Sequence, residues 1–167
     1  MPSKYEKLTP PSSAPGIIGG SIDGSDKMVG IVASRFNYEI TERLLQGAIS
    51  GAKSCGVDPN SIHLAWVPGA LEIPIVAKQM ATNLPVNAIV TLGAVIRGET
   101  THYEVVSNGC ARGVMQVSLE VNVPIIFGVL TVENMEQALA RSMPDETNKG
   151  LESMESAIWC ASVMERL

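Results

Sequence analysis

The sequence predicts an α/β fold in which a four-stranded parallel sheet lies between two layers of helices, a three-layer sandwich. Short apolar runs alternate with longer stretches in which apolar residues recur every three or four positions. Each apolar run ends in glycines or polar residues, which is typical of buried parallel strands that lead into loops. The 167 residues, 46% of them apolar, suit a single domain with a sizeable core.

The elements follow in the order β-α-β-α-β-α-β-α-α. The first strand is expected over 28–33, and Asn37 is expected to cap the helix that follows it, which ends at Gly56. Alternation of this kind requires right-handed crossovers between parallel strands. The remaining strands are expected at 62–67, 88–96 and 124–131, and the remaining helices at 74–82, 102–122, 133–141 and 150–167. Both edges of so small a sheet need covering, which hints at an oligomer.

Residues 1–27 are expected to form a partly flexible N-terminal arm, and residues 28–167 the domain. The first fifteen residues are polar and contain prolines at 2, 10, 11 and 15, without the apolar segment of a secretory signal. No uncharged apolar run reaches about 18 residues, so no membrane span is expected. We therefore expect a cytoplasmic protein. A plastid origin stays open, although this segment contains no arginine.

Composition excludes several kinds of partner. The net charge of −5 and the pI near 5.0 argue against nucleic acid or an anionic membrane, since both require a basic surface. The three cysteines form neither a CxxC pair nor a Cys/His metal spacing, so no metal site is expected. Their odd number and wide gaps suit free, mostly buried thiols in a reducing compartment.

The strongest candidate for chemistry is the exit of the third strand, where Arg97, Gly98, Glu99, Thr100, Thr101 and His102 follow an apolar run. Ligands of parallel sheets bind at this edge, and imidazole is the side chain best suited to proton transfer near neutral pH. The glycine and threonines could simply begin a helix, or their backbone N–H groups could bind an anion. His102 could likewise be a cap or a catalytic residue. His63, inside a strand, is interpreted as structural.

The other strand exits carry further candidates that could converge on the same edge. Phe36 after the first strand could pack on its helix or stack on a flat heterocycle. Glu72 after the second strand could be a helix-start carboxylate or a ligand. Phe127, just inside the fourth strand, and Thr131 are expected near the exit of that strand. The residues alone thus predict a small-molecule site for a planar ring and an anion, with the substrate undetermined.

Several motifs in order resemble one known family from about residue 28 to the C-terminus. They are Ser34-Arg35-Phe36-Asn37, WVPGALEIP at 66–74, LGAVIRGETTHY at 92–103, PIIFGVLT at 124–131 and NKG at 148–150. On these motifs the chain is similar to lumazine synthases. The resemblance implies a flavodoxin-like fold and the condensation of 5-amino-6-(D-ribitylamino)uracil with 3,4-dihydroxy-2-butanone 4-phosphate, without cofactor or metal. It also implies a pentamer, or a shell of pentamers.

The resemblance also implies roles for individual residues. Phe36 would stack on the pyrimidine, and His102 would be the acid/base. Phe127 and Arg141 would come from a neighbouring copy, to the ring and the phosphate respectively, with Lys149 nearby. The remaining implied contacts are Ala70, Leu71 and Glu72 to the ribityl chain, Ala94, Val95 and Ile96 to the pyrimidine, and Glu99 and Thr100 to the phosphate.

The segment between Arg141 and Asn148 departs from this family's pattern. Residues 142–147 read SMPDET, where the family usually has a stretch with glycine, threonine and lysine. Two carboxylates near a phosphate site would oppose an anion unless they point away from it. A binding or shell protein that has lost turnover is therefore an alternative to the enzyme. An unrelated flavodoxin-like nucleotide binder is a third hypothesis, which the specific motifs disfavour.

Overall fold

The structure is a computed structural model that describes residues 16–167. Within that range, four strands form one parallel sheet: β1 at Val29–Ser34, β2 at Ile62–Val67, β3 at Ala88–Ile96 and β4 at Ile125–Val132. Their order across the sheet is β2-β1-β3-β4, so β2 and β4 are its edges. The predicted four-stranded parallel sheet is confirmed.

Five α-helices lie within the described residues: α1 at Tyr38–Ser54, α2 at Ile73–Asn83, α3 at His102–Val121, α4 at Met135–Ala140 and α5 at Lys149–Met164. Short 3₁₀ turns occupy Pro59–Ser61 and Ala70–Glu72. The predicted bounds of β2 and β3 match the structure, and those of β1 and β4 differ by one residue. Helix α4 is shorter than predicted, since Asn134 caps it and Arg141 ends it.

Two hydrophobic cores lie on opposite faces of the sheet. On one face, α1 and α5 pack on it through Leu44, Met154 and Ile158. On the other face, α2 and α3 pack through side chains such as Ile73 and Val114. The predicted three-layer sandwich is therefore confirmed, with β3 buried in its centre.

Asn148 and Gly150 fix the start of α5 against α1. The Asn148 carboxamide oxygen accepts from the Gly150 and Leu151 N–H groups at 2.8 and 3.3 Å, and its nitrogen donates to the Arg43 carbonyl at 3.2 Å. A Cβ at Gly150 would lie 1.9 Å from the Leu44 carbonyl oxygen, so only glycine permits this approach. Lys149, between them, is thereby held in place.

The part of the predicted N-terminal arm at 1–15 lies outside the described residues. Residues 16–27 run along α5, where the Ser21 N–H donates to the Ser162 hydroxyl at 3.1 Å. Arg166 donates to the Gly19 carbonyl at 2.6 Å, and the buried Lys27 ammonium lies 3.0 Å from a Glu165 carboxylate oxygen. This segment is thus attached to the C-terminal helix at several points.

The three cysteines all fall within the described part of the chain and are free thiols. Burial raises the pKa of the Cys55 thiol to about 11 and that of Cys110 to about 12, while the pKa of Cys160 is raised for the same reason. Cys55 and Cys110 are buried and Cys160 is half-buried, and none of the three forms a disulfide. Over residues 16–167, no helix is long and apolar enough to cross a membrane.

Candidate active site

A cavity of about 380 Å³ lies at the carboxyl edge of the sheet, beyond the ends of β1, β2 and β3. This is the edge at which parallel sheets bind ligands. Most of the predicted site residues line it: Phe36, Ala70, Leu71, Glu72, Ala94, Val95, Ile96, Thr100 and His102. Residues from the exits of β1, β2 and β3 thus come together, whereas the exit of the fourth strand, also predicted to converge there, contributes none of the described residues. This cavity is called the main cavity below.

The aromatic ring in the main cavity is presented by the turn after β1. Phe36 is 71% exposed, while its backbone N–H donates to the Pro68 carbonyl at 3.1 Å. Asn37 adopts the left-handed conformation (φ 56°), and its side-chain nitrogen donates to the Ala94 carbonyl at 2.8 Å. Asn37 is the N-cap residue of α1, as predicted, but its side chain makes no hydrogen bond to the helix and binds β3 instead. The ring is thus exposed on a turn fixed to two strands.

A tight turn after β2 forms a second wall. Glu72 accepts from the Gly69 N–H at 2.9 Å through Oε2, which closes the 3₁₀ turn at Ala70–Glu72. Ala70 is buried and Leu71 is exposed, and both residues line the main cavity. The helix-start and ligand interpretations of Glu72 are compatible, since a carboxylate has two oxygens that can accept hydrogen bonds.

The third wall is the end of β3 and the loop into α3. Ala94 and Val95 are buried, Ile96 is half-buried, and all three line the main cavity. His102 is the first residue of α3, and its N–H lies 3.4 Å from the Thr100 hydroxyl oxygen. Glu99 is exposed in the same loop and does not line the main cavity among the described residues. Helix N-termini with unbonded N–H groups attract anions, so an anion site here is chemically reasonable.

Phe127, Arg141 and Lys149 lie elsewhere on the chain. Together they line a second cavity of about 330 Å³, formed by the outer edge of β4 and by α5. Thr131 lies near the end of β4, as predicted from the residues, but the expectation that Phe127 lies just inside that exit is wrong. The strand continues to Val132, and Phe127 pairs with Thr91 in the middle of β3. Among the described residues, none lines both cavities.

The two basic side chains of this second cavity already have protein partners. Lys149 Nζ lies 2.5 Å from the Glu152 carboxylate, and Arg141 Nη1 donates to the Gln137 carbonyl at 3.1 Å. The Lys149 N–H donates to the Arg141 carbonyl at 2.9 Å, which brings the two residues together at the base of the 142–147 loop. Both remain partly exposed, so either can also contact an anion.

Neither acidic residue of the 142–147 loop lines the cavity of Arg141 and Lys149. Pro144 and Asp145 line a third cavity against α1 instead. The Thr147 hydroxyl and N–H donate to Asp145 at 2.6 and 2.8 Å and lower the pKa of its carboxyl group. The unusual sequence therefore changes the surface beside α1 and leaves Arg141 and Lys149 next to each other.

A protein-family model matches residues 26–165, which is most of the chain and includes both cavities. The family is described as 6,7-dimethyl-8-ribityllumazine synthase. The chain belongs to this family. The lumazine synthase family consists of transferases of riboflavin biosynthesis that act on small molecules, so the chain is an enzyme of that class. The predicted resemblance and fold class are both confirmed by this match.

Three residues that line the main cavity were not predicted from the sequence as site residues: Ser34, Tyr103 and Val106. Tyr103 and Val106 line it from the first two turns of α3. Helical residues three or four positions apart share a face, and Val106 lies four positions after His102. That spacing was the available signal. Over residues 16–167, no group of three or more His, Cys, Asp or Glu side chains is arranged to hold a metal ion.

Proposed function

We propose that this enzyme condenses 5-amino-6-(D-ribitylamino)uracil with 3,4-dihydroxy-2-butanone 4-phosphate to give 6,7-dimethyl-8-ribityllumazine, phosphate and water, the penultimate step of riboflavin biosynthesis. The observation that carries the proposal is the main cavity. It combines an exposed aromatic ring, the end of a buried strand, a histidine and a helix N-terminus. Those four features match a flat heterocycle, its polar edge, a proton transfer and a phosphate.

The uracil would bind between Phe36 and the end of β3. An exposed phenyl ring can stack on a pyrimidine, since both present flat π faces. Backbone groups at 94–96 would bind the polar edge of the heterocycle. The ribityl chain would extend toward the turn at Ala70–Glu72, where the Glu72 carboxylate can accept from its hydroxyl groups.

The phosphate of the butanone would bind at the loop before α3. Residues 98–101 lead into a helix of 20 residues, whose first N–H groups and dipole favour an anion. Glu99 would contribute through its backbone, because its carboxylate would repel a phosphate. The Thr100 hydroxyl can donate to a phosphate oxygen.

His102 would transfer the protons. An amine of the uracil adds to the carbonyl of the butanone, and a first water leaves to give an imine. Loss of a proton from carbon and elimination of phosphate then give an enol, which tautomerises to a ketone. The second amine adds to this ketone, and a second water leaves as the ring closes. Each step moves a proton on or off nitrogen, carbon or oxygen, and one positioned acid/base contributes roughly 10²–10⁴-fold. Holding two substrates in contact supplies a further large share of the acceleration.

We propose further that the active site is shared between copies. Phe127, Arg141 and Lys149 lie at the outer edge of β4, away from the main cavity of their own chain. Phe127 would reach the ring, and the two cations the phosphate, in the main cavity of the next copy. Such heterologous contacts give a discrete oligomer only if they close into a ring, here a pentamer or a shell of pentamers.

The cellular site is a separate proposal. Three free thiols, two of them buried with a raised pKa, suit a reducing compartment. We expect the enzyme to work in the cytoplasm with its two small-molecule substrates. Fractionation of its source cells, with the protein followed by antibody, tests this expectation.

The proposed reaction is tested by mixing the purified chain with both substrates and following fluorescence of the lumazine product. Formation of product above the rate of the uncatalysed mixture supports the proposal. Binding of the uracil without product would instead support the non-catalytic binding or shell protein. If the chain neither bound the uracil nor formed product, that result would contradict the substrate assignment altogether.

A further inference from the structure

Arg97 joins three segments of the chain immediately beyond β3. Its Nε donates to the Glu133 carboxylate at 2.7 Å, and its Nη1 lies 3.4 Å from a carboxylate oxygen of Glu104. Its Cζ lies 4.2 Å from the centre of the Tyr103 ring, at the range of a cation–π contact. Its N–H also donates to the Val132 carbonyl at 2.9 Å, which extends the pairing of β3 with β4 by one residue. The guanidinium therefore connects the ends of both strands to the first turn of α3.

The loop at 98–101 lies between these fixed points and has few contacts of its own. Gly98 has open space around it, and Thr101 makes no side-chain capping bond to the described part of α3. The bond from the His102 N–H to Thr100 is long, at 3.4 Å. Arg97 precedes the loop, and Tyr103 and Glu104 follow it. The contacts between Arg97 and these two residues thus set the distance that the loop spans.

Arg97 itself is poorly placed to bind substrate. Two of its donors point to carboxylates, and its plane covers Tyr103, as the distances above show. Tyr103 lines the main cavity, whereas Arg97 does not. The two acidic partners also offset the positive charge of the guanidinium, which weakens its attraction for a phosphate. These contacts indicate that the residue acts through its neighbours.

We propose that Arg97 is a positioning residue: it fixes the 98–101 loop and the start of α3 so that backbone N–H groups and His102 face the phosphate-bearing substrate. The proposal rests on the proposed function for the identity of that substrate. Exposed ion pairs contribute little to folding stability, so the main effect of losing Arg97 falls on the loop. A small displacement of a binding loop can reduce catalysis strongly.

The test compares Arg97→Met with Arg97→Lys and with Lys78→Met as the matched control. Lys78 forms a similarly exposed ion pair with Glu120 between α2 and α3, outside the main cavity. For Arg97→Met we expect a KM for the butanone phosphate about tenfold higher, with the KM for the uracil within about twofold of wild type. Arg97→Lys should recover part of the loss, because lysine keeps the charge but not the planar stack. Lys78→Met should match wild type.

Hydrogen exchange of the same variants gives a second measurement that does not depend on turnover. Arg97→Met should exchange faster at 98–104 and nowhere else, while Lys78→Met should leave that segment unchanged. Equal rises in both KM values, or unchanged kinetics, would overturn the positioning role. Hydrogen exchange that is unchanged at 98–104, or faster throughout the protein, would overturn it as well. If the wild-type chain makes no lumazine, the proposed function fails, and hydrogen exchange alone then decides the role of Arg97.

Discussion

Replacing Phe36 by alanine is the sharpest test of how the uracil is bound. The ring is 71% exposed and projects from a turn whose backbone bonds do not depend on it. Its removal should therefore change the free energy of unfolding by no more than about 0.5 kcal/mol, as for other surface positions. Any larger effect on binding then belongs to the lost contact with substrate.

The expected loss of binding follows from the stacked area. Removing an aromatic partner from beneath a base costs on the order of 1–2 kcal/mol, and such a loss corresponds to a roughly 5–30-fold weaker complex. The phosphate-bearing substrate would bind at the loop before α3, away from the ring, so its KM should change by less than about twofold. Phe36→Trp keeps a π face at the same position and serves as the matched control, with uracil binding close to wild type.

The assay is steady-state formation of the fluorescent product with each substrate varied in turn. Phe36→Ala should raise the KM of the uracil by the stated factor, while Phe36→Trp should not. An unchanged uracil KM in Phe36→Ala would refute the stacking model, as would a change mainly in the butanone phosphate.

Three further predictions concern catalysis, packing and thiol chemistry. His102→Ala should lower kcat by about tenfold or more with stability unchanged, and a variant with wild-type kcat would exclude proton transfer by this residue. Gly150→Ala should reduce the free energy of unfolding in urea by about 1–3 kcal/mol, because the added Cβ meets a carbonyl of α1, whereas Gly98→Ala, in open space, should stay within about 0.5 kcal/mol. Burial raises the pKa of the Cys55 and Cys110 thiols, so both stay protonated at pH 8. They should therefore react with iodoacetamide far more slowly in the native protein than in urea, and equal rates in the two conditions would contradict the burial.

The sheet was predictable because its strands are nearly continuous apolar runs. Residues 62–67 end before Pro68 and Gly69, residues 88–96 end before Arg97 and Gly98, and the structure gives the same limits. Helix ends were predicted less well, because caps depend on local geometry. Asn37 is of a residue type that caps helices, but its side chain donates a hydrogen bond to the carbonyl of Ala94, which is distant in sequence.

The division of the site into two cavities could not be derived from the residues alone. Strand order decides this division. Because β4 is an edge strand, Phe127 lies at the outer edge of the sheet, where it lines cavities beside both α3 and α5, and not the cavity of His102. Sequence spacing carries no information on which strand lies at the edge. Only the resemblance to lumazine synthases indicated that Phe127 and Arg141 act on a neighbouring copy. The direction of Asp145, toward α1, likewise depends on a local bond to Thr147.

The shared active site is tested most directly by mixing two inactive variants, His102→Ala and Arg141→Ala, under conditions in which subunits exchange. If each site takes His102 from one copy and Arg141 from the next, equal mixing should restore about a quarter of the wild-type activity, since that fraction of heterologous interfaces has both residues intact. Lumazine fluorescence measures the recovery, and sedimentation with mass-labelled chains measures the exchange. Exchanged but inactive mixtures, or an active wild-type monomer, would contradict the account.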